Sequence, residues 1–242
     1  MFRNSARVIA QTFYVANVWF ANTFCLASAA HGVLPLFLMG WHKFGEEGEE
    51  KIKMWFDEGN ALVKDGKYED AIKCYDKVLE IDPNYVKAWT NKSNALLELG
   101  RYEDAIVCSD NALKINLHDA FMPQSQFDRI LVYNLVNKSK ALLELGRDED
   151  AIVCSDKALK IDPNYVDAWF WKAYVLGKND KHEDAIKCWD ELLEIDPNYV
   201  DAWLGKCVSL GKLGRDKEAN ACHAKALKID PFNDMALKMA GR

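Results

Sequence analysis

Residues 69–86 read EDAIKCYDKVLEIDPNYV, and residues 183–200 repeat that string with few changes as EDAIKCWDELLEIDPNYV. A second string, ALLELGR, occurs at both 95–101 and 141–147. Self-similarity at a fixed period of roughly 20 to 50 residues is typical of repeat architectures. Aligning the strings gives five units of 34 residues, at 52–85, 86–119, 132–165, 166–199 and 200–233, with an insert at 120–131.

Each unit predicts two helices joined by a tight turn. Apolar residues recur at helical spacing in both halves of a unit. Between the halves stands a residue that permits the turn, which is glycine in four units and Asp180 in the fourth. The second half carries alanine at one fixed place, and small residues there let two helices approach closely. Those alanines are Ala71, Ala105, Ala151, Ala185 and Ala219.

The order of residues within a unit carries a family resemblance. The pattern is Trp, a small residue four on, Leu three on, a turn Gly, Tyr-x-x-Ala and a closing Pro, which unit one shows at Trp55, Gly59, Leu62, Gly66, Tyr68, Ala71, Tyr75 and Pro83. This pattern resembles the tetratricopeptide repeat (TPR). Over 52–233, the resemblance implies an all-α fold, a right-handed alpha-alpha superhelix (TPR solenoid) of five helix-turn-helix repeats. It also implies a non-catalytic scaffold for protein–protein interaction.

Units two and three depart from the pattern. Leu117 replaces the closing Pro before the insert, and Leu135 replaces Trp. Ser125 with Asp128 reads as a capping box, so we expect the first helix of unit three to begin early, near Gln126. We interpret the insert itself as a tolerated surface loop.

Composition and motifs argue against catalysis. The formal net charge of −6 disfavours a protein that binds duplex nucleic acid through its phosphates. No phosphate-binding loop, nucleophile elbow or zinc-protease motif occurs, so we expect no enzyme, no cofactor and no metal.

Five of the seven cysteines share one repeat position, which predicts small apolar packing residues and favours a reducing, cytoplasmic location. They are Cys74, Cys108, Cys154, Cys188 and Cys222.

The resemblance also indicates a binding surface. In TPR proteins, the first helices line a concave groove that binds a peptide or a partner helix, through residues that include repeat positions two, five, nine and twelve. The candidate partner-binding residues are Lys53, Phe56, Asn60, Lys87, Asn91, Asn94, Lys140, Phe170, Tyr174, Leu204 and Val208. They predict a ligand with an acidic end near Lys53 and Lys87 and an apolar end near Phe170 and Leu204. A lightly used, solvated surface is the alternative.

Some TPR proteins clamp the terminal carboxylate of chaperones with Lys and Asn on successive first helices. Asn60 and Asn91 stand where such a clamp has its asparagines. Phe56, Tyr133 and Asn137 stand where the clamp needs basic residues, so most of its charge-assisted hydrogen bonds have no donor here. A chaperone-tail clamp is therefore disfavoured.

The N-terminal segment, 1–51, is apolar. From Val8 to Trp41 there is no Asp, Glu, Lys or Arg, and the run is long enough to span a bilayer as a helix. Three interpretations stay open: a membrane anchor or signal segment, a cap on the first repeat, or a true start near Met39 or Met54. The first of these makes a membrane-tethered TPR assembly factor the alternative function, beside an accessory subunit of an enzyme encoded elsewhere.

The C-terminal segment, 234–242, predicts a short cap in which Leu237 covers part of unit five. An array end that is incompletely covered exposes apolar surface. We therefore expect an end-to-end homodimer as one partner, beside a protein or peptide ligand.

Overall fold

The computed structural model describes residues 34–115 and 123–240, and side chains over 47–115 and 123–238. The chain divides into two compact units, Met1–Glu50 and Lys51–Arg242. Most of the uncharged run 8–41 lies outside the described residues, as does Cys25. Within the described part of the chain, no helix combines the length and the apolar character that a membrane crossing requires.

The described residues form eleven helices and no strand. The all-α solenoid that the sequence predicts is confirmed. In chain order the helices are α1 (Leu34–Lys64), α2 (Tyr68–Ile81), α3 (Val86–Glu98), α4 (Tyr102–Lys114), α5 (Gln124–Glu144), α6 (Asp148–Ile161), α7 (Val166–Lys178), α8 (His182–Ile195), α9 (Val200–Lys212), α10 (Asp216–Ile229) and α11 (Asp234–Ala240). From α3 to α10, each helix packs on the next in the chain, and the first helices α3, α5, α7 and α9 also pack on one another.

The turn within each unit has one backbone conformation. Gly66, Gly100, Gly146 and Gly214 have φ between 70° and 73°, and Asp180 has φ 57°. Lys67 N donates to Leu62 O at 2.8 Å and Gly66 N to Val63 O at 3.0 Å, which is the Schellman pattern that ends a helix at a left-handed residue. The turns therefore need a residue that tolerates positive φ, as predicted.

Two repeated side chains hold successive units together. Trp89 Nε1 donates to Pro83 O of the preceding unit at 2.9 Å, and Trp169 and Trp203 bond Pro163 and Pro197 in the same way. Unit three lacks both members of this pair, since it has Leu135 and follows Leu117. The Trp and the Pro of the repeat pattern are thus two ends of one inter-unit hydrogen bond.

Ion pairs also cross each boundary between units. Lys172 Nζ lies 2.7 Å from Asp156 of the preceding unit, and the same two repeat positions pair Lys92 with Asp76, Lys138 with Asp110, and Lys206 with Asp190. Lys172 and Lys206 also lie over the rings of Trp169 and Trp203. Such partly exposed pairs each contribute on the order of 0.5 kcal/mol, so they tune the packing of the units rather than cause it.

The cysteines pack as small apolar residues, as predicted. The five at the shared repeat position are 4–6% exposed, and they and Cys207 are free thiols. Burial raises the pKa of Cys108 and Cys188 to about 11. These thiols are therefore protonated at neutral pH and belong to the core.

Helix α5 begins at Gln124, with Pro123 preceding it and no side-chain cap. The early start of this helix is confirmed, but the capping box at Ser125 is wrong, because Ser125 lies inside the first turn. Gln124 Nε2 instead donates to Asp128 Oδ1 at 2.8 Å across one helical turn. At 21 residues, α5 is longer than the 13-residue first helices α3, α7 and α9.

Helix α11 covers the end of unit five through a residue other than the one expected. Ala236 is fully buried against Leu204 and Ala226, whereas Leu237 is 48% exposed. Asn233 Oδ1 accepts hydrogen bonds from the backbone N–H groups of Met235 and Ala236 at 3.1 Å, which orients the short helix. The expectation for Leu237 is wrong because the helix turns its small residue inward.

Candidate functional site

A cavity of about 700 Å³ opens between the first helices of units one, two and three. Its lining residues fall into four groups: amides, cations, rings and small or apolar side chains. They are Asn60, Asn91, Asn94 and Gln126; Lys64, Lys87 and Arg129; Phe56, Tyr75, Tyr133 and Tyr165; and Val63, Thr90 and Ile130. Cavities of this size bind small molecules or a few residues of a peptide.

The amides form a hydrogen-bonded cluster at one side of the cavity. The Tyr75 hydroxyl donates to Asn60 Oδ1 at 2.9 Å, and Asn91 Nδ2 donates to the same oxygen at 2.7 Å. Among the described residues, Asn60 Nδ2 and Asn91 Oδ1 have no hydrogen-bond partner. The cluster therefore holds one donor and one acceptor beside the cavity in fixed orientations.

Tyr75 reaches this position because unit one has no side chain at Gly59. A Cβ atom at Gly59 would lie 2.7 Å from Cε1 of the Tyr75 ring, closer than carbon atoms approach. The ring is 1% exposed, and burial raises the pKa of Tyr75 to about 12. The hydroxyl is therefore a neutral donor over the whole physiological pH range.

Residues of the insert build one wall of the cavity. Gln126, Arg129 and Ile130 precede the predicted start of unit three and line the cavity from α5. Phe127 is 3% exposed and anchors this part of the helix. The interpretation of the insert as only a tolerated loop missed these residues. Apolar residues at helical spacing through 127–131 were the sequence signal for them.

A buried amide holds α5 against unit two. Asn134 Nδ2 donates to Thr90 Oγ1 and to Ile130 O, both at 2.8 Å. Thr90 in turn donates to Val86 O at 2.9 Å within α3. The wall is therefore tied to α3 by a chain of hydrogen bonds, and its position is set by contacts rather than by the loop before it.

The structure brings together five of the predicted binding residues: Phe56, Asn60, Lys87, Asn91 and Asn94. Lys53, Lys140, Phe170, Tyr174, Leu204 and Val208 do not line the cavity. Lys140 Nζ instead lies 5.1 Å from the ring centroid of Trp171.

Repeat position five proves to be an inter-unit contact. Thr90, Val136 and Leu204 occupy it and are 6%, 1% and 1% exposed. The placement of Leu204 on an open groove is therefore corrected, because Ala226 and Ala236 cover its side chain. Phe56 and Phe170 occupy the same position in units one and four and are only half-buried, so the neighbouring contacts decide the exposure of each copy.

Units four and five carry an aromatic cluster. Phe170 contacts Trp171 and Trp189 edge to face at 5.3 Å and lies 5.8 Å from Tyr199. The Tyr174 ring stacks on Phe170 at 6.4 Å, with 49% of Tyr174 exposed. Val208 is 40% exposed. The accessible part of this region therefore consists of Tyr174 and Val208, while Phe170 is mainly a packing residue.

Comparisons with known proteins agree with this architecture. Models of the tetratricopeptide repeat match residues 59–97, 86–119, 132–165 and 154–187. No curated protein matches the sequence.

Solved structures share the fold. YrrB, described as a TPR protein with an unusual peptide-binding site, is 21% identical, with a TM-score of 0.60 over 83% of this chain and 97% of its own. MamA of Desulfovibrio magneticus RS-1 is 17% identical, with a TM-score of 0.63 over 76% of this chain and 97% of its own. A thermophilic TPR protein of Thermus thermophilus is 18% identical, with a TM-score of 0.59 over 78% and 97% of the two chains. With its five helix pairs, its glycine turns and these matches, the chain belongs to the tetratricopeptide-repeat family.

Proposed function

We propose that this protein is a non-catalytic interaction scaffold that binds an extended peptide segment of a partner protein in the cavity between units one, two and three. The observation that carries the proposal is the pair of amide atoms Asn60 Nδ2 and Asn91 Oδ1, which have no hydrogen-bond partner among the described residues and lie beside a cavity of about 700 Å³. A peptide group offers one carbonyl acceptor and one N–H donor, which is the complement of this pair.

The side chains of the amide cluster are already fixed by hydrogen bonds, and this preorganisation supports binding. Asn60 Oδ1 accepts two hydrogen bonds, from Tyr75 and Asn91, so neither side chain must be ordered anew when a ligand arrives. Preorganised polar groups bind more tightly because less conformational entropy is lost. The peptide-binding description of YrrB, which has the same fold, also favours a peptide over a small molecule.

The apolar end of the ligand would contact Tyr174 and Val208, two exposed apolar residues on the first helices of units four and five. This assignment replaces the pair Phe170 and Leu204 that the sequence predicts. Exposed aromatic and aliphatic side chains on an inner helical layer are favourable partners for apolar side chains of a peptide.

The cellular compartment and the oligomeric state of the protein stay predictions. The six described free thiols support a reducing compartment and hence a cytoplasmic array. Phe232, Met235 and Leu237 are 86%, 54% and 48% exposed at the C-terminal end, which supports the end-to-end homodimer. Sedimentation at rising concentration tests the dimer, and a monomer mass throughout would contradict it.

The test of the function uses the full chain and a library of random dodecapeptides. Wild-type protein should select peptides, and Asn91→Ala should bind them at least about 10-fold more weakly, because a buried hydrogen-bonding group loses its partner. Asn220→Ala, an exposed amide on α10, is the matched control and should bind as the wild type does. Equal affinity of Asn91→Ala and wild type for every selected peptide would overturn the proposal.

A further inference from the structure

Among the described residues, cations line the cavity and no acid does. Lys64, Lys87 and Arg129 line it from three different helices, and neither Asp nor Glu is among its lining residues. The whole chain has a formal net charge of −6, so the positive charge of the cavity is opposite in sign to the charge of the protein. Lys87 is half-buried, whereas Lys64 and Arg129 are exposed. Cations gathered around one cleft attract anionic groups more strongly than the same cations do when spread over a surface.

These three cations differ from the lysines at repeat position seven. Lys92, Lys138, Lys172 and Lys206 are each paired with an Asp of the neighbouring unit. Over the described residues, Lys64, Lys87 and Arg129 form no ion pair. Burial and the charge of Asp167 raise the pKa of Tyr133 and Tyr165, which line the same cavity, but Asp167 forms no ion pair with Arg129 among the described residues. The guanidinium therefore keeps its donors for a ligand carboxylate.

Arg129 is the cation that the regular repeat would not supply. It belongs to the insert and reaches the cavity because α5 extends beyond the 34-residue unit. Its helix is anchored on both sides of it, by buried Phe127 and by the hydrogen bonds of Asn134 to Thr90 and Ile130. A guanidinium presents a fork of N–H donors that matches a carboxylate, whereas Lys is a point charge.

We propose that Arg129 is a specificity-determining residue, which binds, together with Lys87, the carboxylate of an Asp or Glu side chain within the peptide. This inference rests on the proposed function and adds the chemistry of the ligand. An internal acidic side chain is favoured over a terminal carboxylate because the positions that grip a terminus carry Phe56, Tyr133 and Asn137. The insert thus acts as a specificity element, and its removal would leave the amide cluster with a less selective cavity.

The experiment repeats the dodecapeptide selection on the full chain with three proteins: wild type, Arg129→Gln and Lys160→Gln. Lys160 is exposed on α6 and lies outside the cavity, so its variant controls for the loss of one positive charge. The peptides are displayed with both ends joined to carrier sequence, which removes terminal carboxylates. A second arm presents free C-termini.

Wild type and Lys160→Gln should select peptides enriched in Asp or Glu at one position in the first arm. Changing that acid to its amide should weaken wild-type binding about 10- to 30-fold, as for the loss of a charge-assisted hydrogen bond, and should change Arg129→Gln binding less than about 3-fold. Arg129→Gln should still select peptides, without the acidic preference. Arg129→Glu should prefer Lys or Arg at the same position.

Selection without acidic enrichment in wild type, or an unchanged acidic preference in Arg129→Gln, overturns the role of Arg129 and leaves peptide binding intact. Enrichment confined to free C-termini overturns the internal side chain as the ligand. If wild type selects no peptide in either arm, the proposed function fails, and the inference fails with it.

Discussion

Tyr75 in unit one and Trp189 in unit four occupy the same repeat position. They have opposite effects on the polarity of the surface that the first helices form. Tyr75 lies against Gly59 and directs its hydroxyl to Asn60, on the side of the cavity. Trp189 lies against Gly205 of the next unit and packs edge to face on Phe170. One ring thus supports a polar cavity and the other completes an apolar cluster. A single repeat position therefore decides the character of the surface beside it.

The middle units show what happens without a ring at this position. Ser109 and Ser155 stand there and bond Ser93 and Ser139 at 2.8 and 2.9 Å. All four serines are fully buried. The serines of each pair satisfy each other, so this repeat position contributes no ring in units two and three. At this repeat position, the contrast between the polar cavity of units one to three and the aromatic cluster of units four and five therefore arises from Tyr75 and Trp189.

Trp189→Ala should have the largest effect. Removing a large side chain that is 3% exposed leaves a cavity and should lower the free energy of unfolding by about 3 to 5 kcal/mol. Because repeats are stabilised by their neighbours, hydrogen exchange should accelerate in α7 to α9 before it does in α3 and α4. Ser155→Ala, at the same repeat position, should cost about 1 kcal/mol. Equal losses in urea titrations would contradict the comparison.

Gly205→Ala should also break the aromatic cluster. The added Cβ would lie 2.5 Å from Cζ2 of Trp189, so the ring must move, at a cost of about 1 to 3 kcal/mol. Gly211→Ala is the matched control in the same helix, where no atom lies within 4 Å, and should stabilise by about 0.5 to 1 kcal/mol. Thermal unfolding measures both, and a stabilising Gly205→Ala would show that Trp189 is not confined.

High pH should reveal the burial of the Tyr75 hydroxyl. The pKa of Tyr75 rises from 10.0 to about 12 because the ring is buried, so the folded state keeps a proton that the unfolded state loses. This contribution is complete below pH 10 and disappears as the pH rises towards 12, by about 1 to 2 kcal/mol. Trp189 has no ionisable group. Tyr75→Phe should therefore flatten the dependence of unfolding free energy on pH between 10 and 12, and an unchanged slope would contradict the burial of the hydroxyl.

Tyr174→Ala should have the smallest effect on stability, within about 0.5 kcal/mol, because half of the side chain is exposed. Binding of the selected dodecapeptides should nevertheless weaken about 3-fold or more where a peptide carries an apolar residue at the far end. Phe170→Ala would confuse this test, since its ring packs on Trp171, Trp189 and Tyr199. Unchanged affinity for all selected peptides would confine the ligand to the cavity.

The repeat period predicted much of the candidate site. Asn60, Asn91, Asn94, Phe56 and Lys87 could be placed near one another because equivalent residues of adjacent units lie side by side. Leu204 could not be placed correctly, since Ala226 and Ala236 cover its side chain and the pattern of one unit does not reveal such packing. The identity of residues at a repeated position indicates a face of the helix, but neighbouring units decide its exposure.

The insert likewise shows which features local sequence patterns predict and which they do not. A break in the 34-residue period indicates an extra segment, and the spacing of Phe127 and Ile130 within this segment predicts a helical face. The sequence also predicts that the helix begins early, near Gln126, but the hydrogen bond from Asn134 to Thr90 of another unit joins residues 44 positions apart. Such contacts leave no local pattern.

The sequence by itself determined the helix pairs, their turns and the burial of the repeated alanines and cysteines. These features depend on local spacing and on the positive φ that Gly66 and its equivalents allow. The tertiary structure alone decided which inner positions stay open, which cations lack partners, and that Gln126 and Arg129 join the cavity. The physical reason is that local periodicity sets the face of each helix, whereas exposure and charge pairing are properties of the contacts between helices.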